Sequence, residues 1–130
     1  MRILRLALGA ATAVTMLFSV AAQSKELFLY NWSNYIPPEL VQKFEQETGI
    51  KVTLDVYDSN ETMLAKLQAG ATGYDVVVPS GYMVRNMIKQ DMLVKIDVSK
   101  LPNFKNVMKP HDSPPFDPNS EYSAPYMWGT

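Results

Sequence analysis

The spacing of apolar and polar positions changes period several times along the chain. Residues 26–31 open on a short apolar run, Leu27-Phe28-Leu29-Tyr30, that reads as a buried strand. Residues 39–48 take helical spacing, with Leu40, Val41 and Phe44 on one face, Pro37-Pro38 at the start and Gly49 as the stop. Ile50, Val52, Leu54 and Val56 then alternate with Lys51, Thr53 and Asp55. That period of two predicts a strand with one polar face, near a sheet edge. Asp58-Ser59-Asn60-Glu61 has the form of a capping box, with Asp58 as the cap and Glu61 three residues on. The helix it opens is expected to bury Met63, Leu64 and Leu67 and to end at Gly70. In Tyr74-Asp75-Val76-Val77-Val78 the unbroken valines predict a central strand covered on both faces, and Pro79 stops it. Residues 81–90 read as a third helix, with Val84, Met87 and Ile88 facing inward.

The order is therefore β-α-β-α-β-α, an α/β fold with a mainly parallel sheet, right-handed crossovers and flanking helices. After Leu93 the pattern loosens. Residues 107–119 hold four prolines (Pro110, Pro114, Pro115 and Pro118) and read as an irregular surface loop. Residues 121–128 look like the start of another extended segment, and Thr130 follows with no further helix, an odd place for a domain to end. The chain contains no repeat and no low-complexity tract.

The first 22 residues have a different character. Arg2 and Arg5 form a basic end, residues 6–20 are apolar without a charge, and Val20-Ala21-Ala22 supplies small residues. This is the pattern of a secretory signal peptide cut after Ala22, and it is left out of fold reasoning. The apolar stretch is short for a spanning helix of about 20 residues. Residues 23–130 then form the exported part. Without Arg2 and Arg5, ten basic residues face thirteen acidic ones, a net charge of −3. With no basic patch, nucleic acid is not expected as a partner. The chain has no cysteine, so stability in an oxidising compartment must come from packing. A cysteine that would carry a lipid at the cleavage site is also missing, which predicts a free periplasmic protein.

Catalysis finds little support. His111 is the only histidine, and it lies in the proline-rich loop. Ser80 follows a strand and precedes Gly81, but Val78-Pro79 before it lacks the G-x-S-x-G pattern of a nucleophile elbow. No metal-ligand spacing and no glycine-rich phosphate loop appears. No catalytic residue, metal or cofactor is therefore expected. Binding finds more support. The carboxyl ends of the three strands carry Trp32-Ser33-Asn34-Tyr35, Tyr57-Asp58-Ser59 and Ser80-Gly81-Tyr82. In a parallel sheet these ends share one edge, where ligands of open α/β folds bind. Aromatic faces there suit organic cations, yet helix N-termini at the same edge favour anions. With Asp58 committed to capping, physics alone leaves anion and cation both open. Ser80 is open in the same way, as a ligand contact or as the cap of the third helix.

Several segments, in order, resemble the periplasmic spermidine/putrescine-binding proteins of ABC importers. They are Tyr30-Asn31-Trp32-Ser33-Asn34-Tyr35-Ile36-Pro37-Pro38, Phe44-Glu45-Gln46-Glu47-Thr48-Gly49-Ile50-Lys51-Val52 and Asp58-Ser59-Asn60-Glu61-Thr62-Met63. Tyr74-Asp75-Val76-Val77-Val78-Pro79-Ser80, Phe116-Asp117-Pro118-Asn119 and Pro125-Tyr126-Met127-Trp128-Gly129 complete the set. The resemblance implies one lobe of a type II periplasmic-binding-protein-like fold, which closes with a second lobe on a polyamine and then meets a membrane permease. By it, Trp32 and Tyr35 wall the polyamine chain, and Ser33, Asn34, Ser80 and Tyr82 offer polar contacts. Phe116-Asp117-Pro118-Asn119 and Tyr82 lean toward the spermidine-preferring branch. Members often carry an acid where this chain has Asn34, which leaves the choice between diamine and triamine open. Members are also much longer, so the chain reads as their N-terminal portion, a fragment or a truncated product with most of the second lobe missing. The alternatives are a binding protein for another organic cation or amino compound, and a polyamine sensor without a transport role. Nothing in the sequence argues for an oligomer, so a monomer is expected.

Overall fold

The computed structural model describes residues 25–128. The expected signal peptide and its cut after Ala22 lie outside the described residues. Strand β1 (Lys25–Trp32), helix α1 (Pro38–Thr48), strand β2 (Ile50–Tyr57), helix α2 (Asn60–Gln68), strand β3 (Val76–Val77) and helix α3 (Gly81–Lys89) follow in the expected order. Two short 3-10 helices, Val98–Lys100 and Phe104–Asn106, interrupt the remaining chain. Residues 121–128 form no strand.

The sheet is parallel throughout, in the order β2-β1-β3. β2 lies at an edge, as its alternation predicts. Its outer ladder position is blunted by α1, whose Glu45 carboxylate accepts the Val52 N–H at 2.7 Å. Gly49, at φ +69°, ends α1 in the left-handed turn that glycine adopts without strain.

Three expectations need correction. The central strand is β1, not the valine strand. Val76–Val77 is a two-residue edge strand, and Val76 is exposed, because only β1 pairs with it among the described residues. Its ladder is lengthened by Asp75 N–H to the Phe28 carbonyl and Val78 N–H to the Tyr30 carbonyl. Second, the apolar stripe of α1 is not buried: Leu40 and Phe44 face solvent. Third, the cap of α2 is Ser59, whose hydroxyl accepts the Thr62 N–H at 3.1 Å, and not Asp58. α2 ends at Gln68, with Met63 fully buried and Leu64 and Leu67 half-buried.

The register explains where the core sits. Side chains of alternate residues share a face, so Tyr30, Trp32, Tyr57 and Val77 project together. On that face α2 and α3 deliver Met63, Met83 and Met87, and Leu64, Leu67, Tyr74, Met92 and Leu93 pack around them. Tyr30 meets Tyr57 edge-on at 4.8 Å and stacks on Tyr74 at 4.5 Å, geometries that aromatic quadrupoles favour. α3 buries Val84 and Met87 as expected, with Met83 beside them, while Ile88 is half-buried.

Candidate functional site

Because all three strands run the same way, Trp32, Tyr57 and the turn after β3 end on one sheet edge. The turns into α1, α2 and α3 leave from that edge, which places three helix N-termini there.

Trp32 is the best-fixed of the expected residues. Its indole N–H donates to the Val78 carbonyl at 2.8 Å, and the same carbonyl accepts the Tyr57 hydroxyl. Its backbone N–H is taken by Oδ1 of the fully buried Asn31 at 2.8 Å. The ring packs at 4.7 Å on Tyr57, whose burial pushes its phenol above the usual range. Tyr35 lies 5.9 Å from Trp32 at a 33° tilt, so the two rings form a splayed pair. The Trp32–Tyr35 turn is closed by Tyr35 N–H to the Trp32 carbonyl, with Asn34 at φ +60° in its third position. Among residues with a side chain, asparagine is one of the few that tolerate that conformation, which gives Asn34 a backbone role of its own.

Ser80 begins α3, and its carbonyl accepts the Met83 and Val84 N–H groups, yet its hydroxyl does not cap the helix. The buried amide of Asn60 engages it instead. Asn60 Nδ2 donates to Ser80 Oγ at 3.1 Å and to the Tyr82 hydroxyl oxygen at 3.0 Å, while Asn60 Oδ1 accepts the Ser80 N–H at 3.0 Å. Tyr82 in turn donates to Glu61 Oε1 at 2.8 Å, which raises its phenol pKa. Ser33 donates to Asp58 Oδ1 at 2.7 Å. Asp58, relieved of capping, therefore stands as an exposed carboxylate at the strand-end edge.

An open groove of about 1440 Å³ runs from this edge, and its lining includes Trp32, Tyr35 and Ser80. Ser33, Asn34 and Tyr82 are not among its lining residues. The far wall comes from the proline-rich loop and the segment after it. Buried Asp117 ties that loop by accepting the N–H groups of Glu121, Tyr122 and Ser123 and the Ser123 hydroxyl, at 2.9 to 3.1 Å. The Phe116 ring occupies the space where a Cβ on Gly81 would sit, so a larger residue at the start of α3 would have to push that ring aside. The Tyr126 hydroxyl donates to the Tyr35 carbonyl at 2.7 Å and joins the two walls. His111 stacks on Trp128 at 5.7 Å beside the groove.

The helix N-termini make this edge positive. Asp58 and Glu61 oppose that field, and each is hydrogen-bonded to a hydroxyl of an expected site residue. Among the described residues no group of His, Asp and Glu side chains is arranged to hold a metal ion.

Sequence reasoning missed Asn60, Glu61, Phe116 and Tyr126 as parts of this edge. Asn60 had one faint signal: three consecutive cap-forming residues, Asp58, Ser59 and Asn60, where a helix needs one. The other contacts span 21 to 91 residues and have no local signature.

A family model described as "Hypothetical lipoprotein (MG045 family)" matches residues 1–113. The chain is 54% identical over 112 residues to the putrescine-binding periplasmic protein of Pseudomonas aeruginosa, covering 85% of this chain and 30% of that protein. It is 50% identical over 120 residues to the spermidine/putrescine-binding periplasmic protein of Salmonella typhimurium, covering 92% of this chain and 34% of that one. A crystal structure of the spermidine/putrescine ABC transporter substrate-binding protein of Streptococcus pneumoniae matches 82% of this chain and 33% of its own, at 43% identity and a TM-score of 0.78. The fold is thus that of periplasmic substrate-binding proteins, and the chain spans about a third of the length of the curated relatives it matches.

Proposed function

From the premise that the chain belongs to the family described as hypothetical lipoprotein (MG045 family), we propose that it forms the N-terminal part of a periplasmic polyamine-binding protein serving an ABC import permease. Residues 1–22 act as a signal peptide removed after Ala22, and residues 23–130 contribute to a two-lobed domain that closes on spermidine or putrescine. The 130 residues contain no cysteine to carry a lipid.

The observation that carries the reading is the splayed Trp32–Tyr35 pair on the groove at the strand-end edge. Two aromatic faces attract an ammonium-bearing alkyl chain by roughly 0.5–2 kcal/mol each, more when water is excluded. Ser80 adds a hydroxyl inside the groove, and Ser33, Asn34 and Tyr82 add polar groups around the same edge. The carboxylates of Asp58 and Glu61 favour a cation where the helix N-termini alone would favour an anion. Ligand binding drives closure only as far as the ligand prefers the closed form, and the closed surface is what the permease reads. No catalytic step is proposed, in keeping with relatives that are named as binding proteins.

Calorimetric titration of the full-length gene product tests this. Spermidine or putrescine should bind, and Trp32→Ala should weaken binding at least tenfold, about 1.4 kcal/mol. Unchanged affinity would remove Trp32 from the site. A second reading, a binding protein for another organic cation or amino compound, is favoured by Asn34, an amide that cannot neutralise an amine. Competition between polyamines and amino acids separates the two.

A further inference from the structure

We infer that Asn60 is the positioning residue of this edge: its single buried carboxamide sets the direction of the hydrogen bonds made by both Ser80 and Tyr82. The inference rests on the reading that these two residues serve the ligand.

Asn60 is 4% exposed, and a buried amide must find partners for its polar atoms. The partners it finds lie 20 and 22 residues away in sequence, at the start of another helix. Its orientation follows from chemistry. The Ser80 backbone N–H can only donate, so Oδ1 must face it, at 3.0 Å. Nδ2 is then forced to face the two hydroxyl oxygens, at 3.1 and 3.0 Å.

Two consequences follow. Ser80 Oγ receives a hydrogen bond from behind, and its hydroxyl is spared from capping α3. Its remaining lone pair is held in a fixed direction, the state that suits a ligand rich in N–H donors. Tyr82 receives from Asn60 and passes its own proton to Glu61, so a donor chain runs Asn60 to Tyr82 to Glu61 and ends on a carboxylate. Such chains polarise each link. Without the amide, the Ser80 hydroxyl is free to rotate, and Tyr82 is held by its bond to Glu61 alone.

A residue that merely joins α2 to α3 would change ligand affinity to the same extent whatever side chains stand at Ser80 and Tyr82. A double-mutant cycle on the full-length gene product distinguishes the roles. Asn60→Ala is made in the wild type and in a Ser80→Ala/Tyr82→Phe background, with spermidine and putrescine affinities read by calorimetry and Ser80 amide exchange read by NMR. Asn60→Ser takes its place if the alanine variant does not fold. The expected result is about a tenfold loss of affinity in the wild type and less than twofold in the double background, with Ser80 amide exchange at least tenfold faster. Equal losses in both backgrounds, or an unchanged Ser80 exchange rate, overturn the positioning role. A wild type that binds neither polyamine sinks the polyamine reading, and the positioning role falls with it. Failure of the cycle in a wild type that does bind sinks the positioning role alone.

Discussion

Lys66 illustrates how single residues of this chain are tuned by their neighbours. Its ammonium lies 2.6 Å from Asp55 Oδ2 and 4.8 and 5.4 Å from the Tyr30 and Tyr74 ring centres. The Tyr74 hydroxyl also donates to Asp55. The hydrogen bond from Lys66, then that from Tyr74, holds the Asp55 carboxyl below its usual range, and the Asp55 carboxylate raises Lys66. Both side chains are nearly half exposed, so solvent discounts the pair. The sign is nonetheless definite. A depressed carboxyl contributes stability above its unfolded pKa, near 3.8, and loses it as the pH falls through the lower folded value. The raised lysine contributes below its unfolded pKa, near 10.5, and loses that share as pH climbs through the folded value. Chemical unfolding should therefore find Lys66→Ala less stable than wild type at pH 7, with the gap narrowing toward pH 2 as Asp55 becomes protonated. A gap independent of pH would mean that Lys66 acts through its packing on the two tyrosine rings.

At the scale of elements, the start of α2 decides a question that adjacent residues pose. Asp58 and Ser59 are both good caps. Ser59 holds the Thr62 N–H, while Asp58 is engaged by Ser33 from the end of β1. Ser59→Ala should cost about 1 kcal/mol of stability, and Asp58→Ala within about 0.5 kcal/mol, in denaturant titrations. The reverse order would restore Asp58 as the cap. This pair also marks the limit of what sequence alone conveys. The three helices were legible because local chemistry bounds them, as Pro37-Pro38 and Gly49 bound α1. Trp32, Tyr35 and Ser80 were legible as groove residues because strand ends of a parallel sheet share an edge. Which of two caps is used, which strand is central and which residue orients Ser80 depend on contacts between elements. Val76–Val77 looked central by composition, yet its neighbours on the sheet, not its valines, fix its place at the edge.

On the scale of the whole molecule, the two faces of the sheet are unequal. One carries the tyrosine and methionine core under α2 and α3. On the other, Leu54 and Val76 stand in register on either side of Leu29, with Val56 two positions along β2. Leu54, Val56 and Val76 are 39%, 48% and 44% exposed, and the apolar stripe of α1 adds Leu40 and Phe44 at 53% and 37%. Exposed apolar groups arranged in one patch bind apolar dyes and each other, unlike the same residues scattered singly. A polypeptide of residues 23–130 by itself should therefore enhance anilinonaphthalene sulfonate fluorescence and self-associate with rising concentration. Leu54→Lys together with Val56→Lys, neither of which lines the groove, should remove about half of that dye signal while circular dichroism stays unchanged, because both side chains point away from the tyrosine core. If the dye signal persists in the double variant, the dye is entering the groove beside Trp32 and Trp128 instead. Spermidine added to the same sample then decides between the two locations, since a ligand of the groove displaces dye from there and leaves dye on the sheet face untouched.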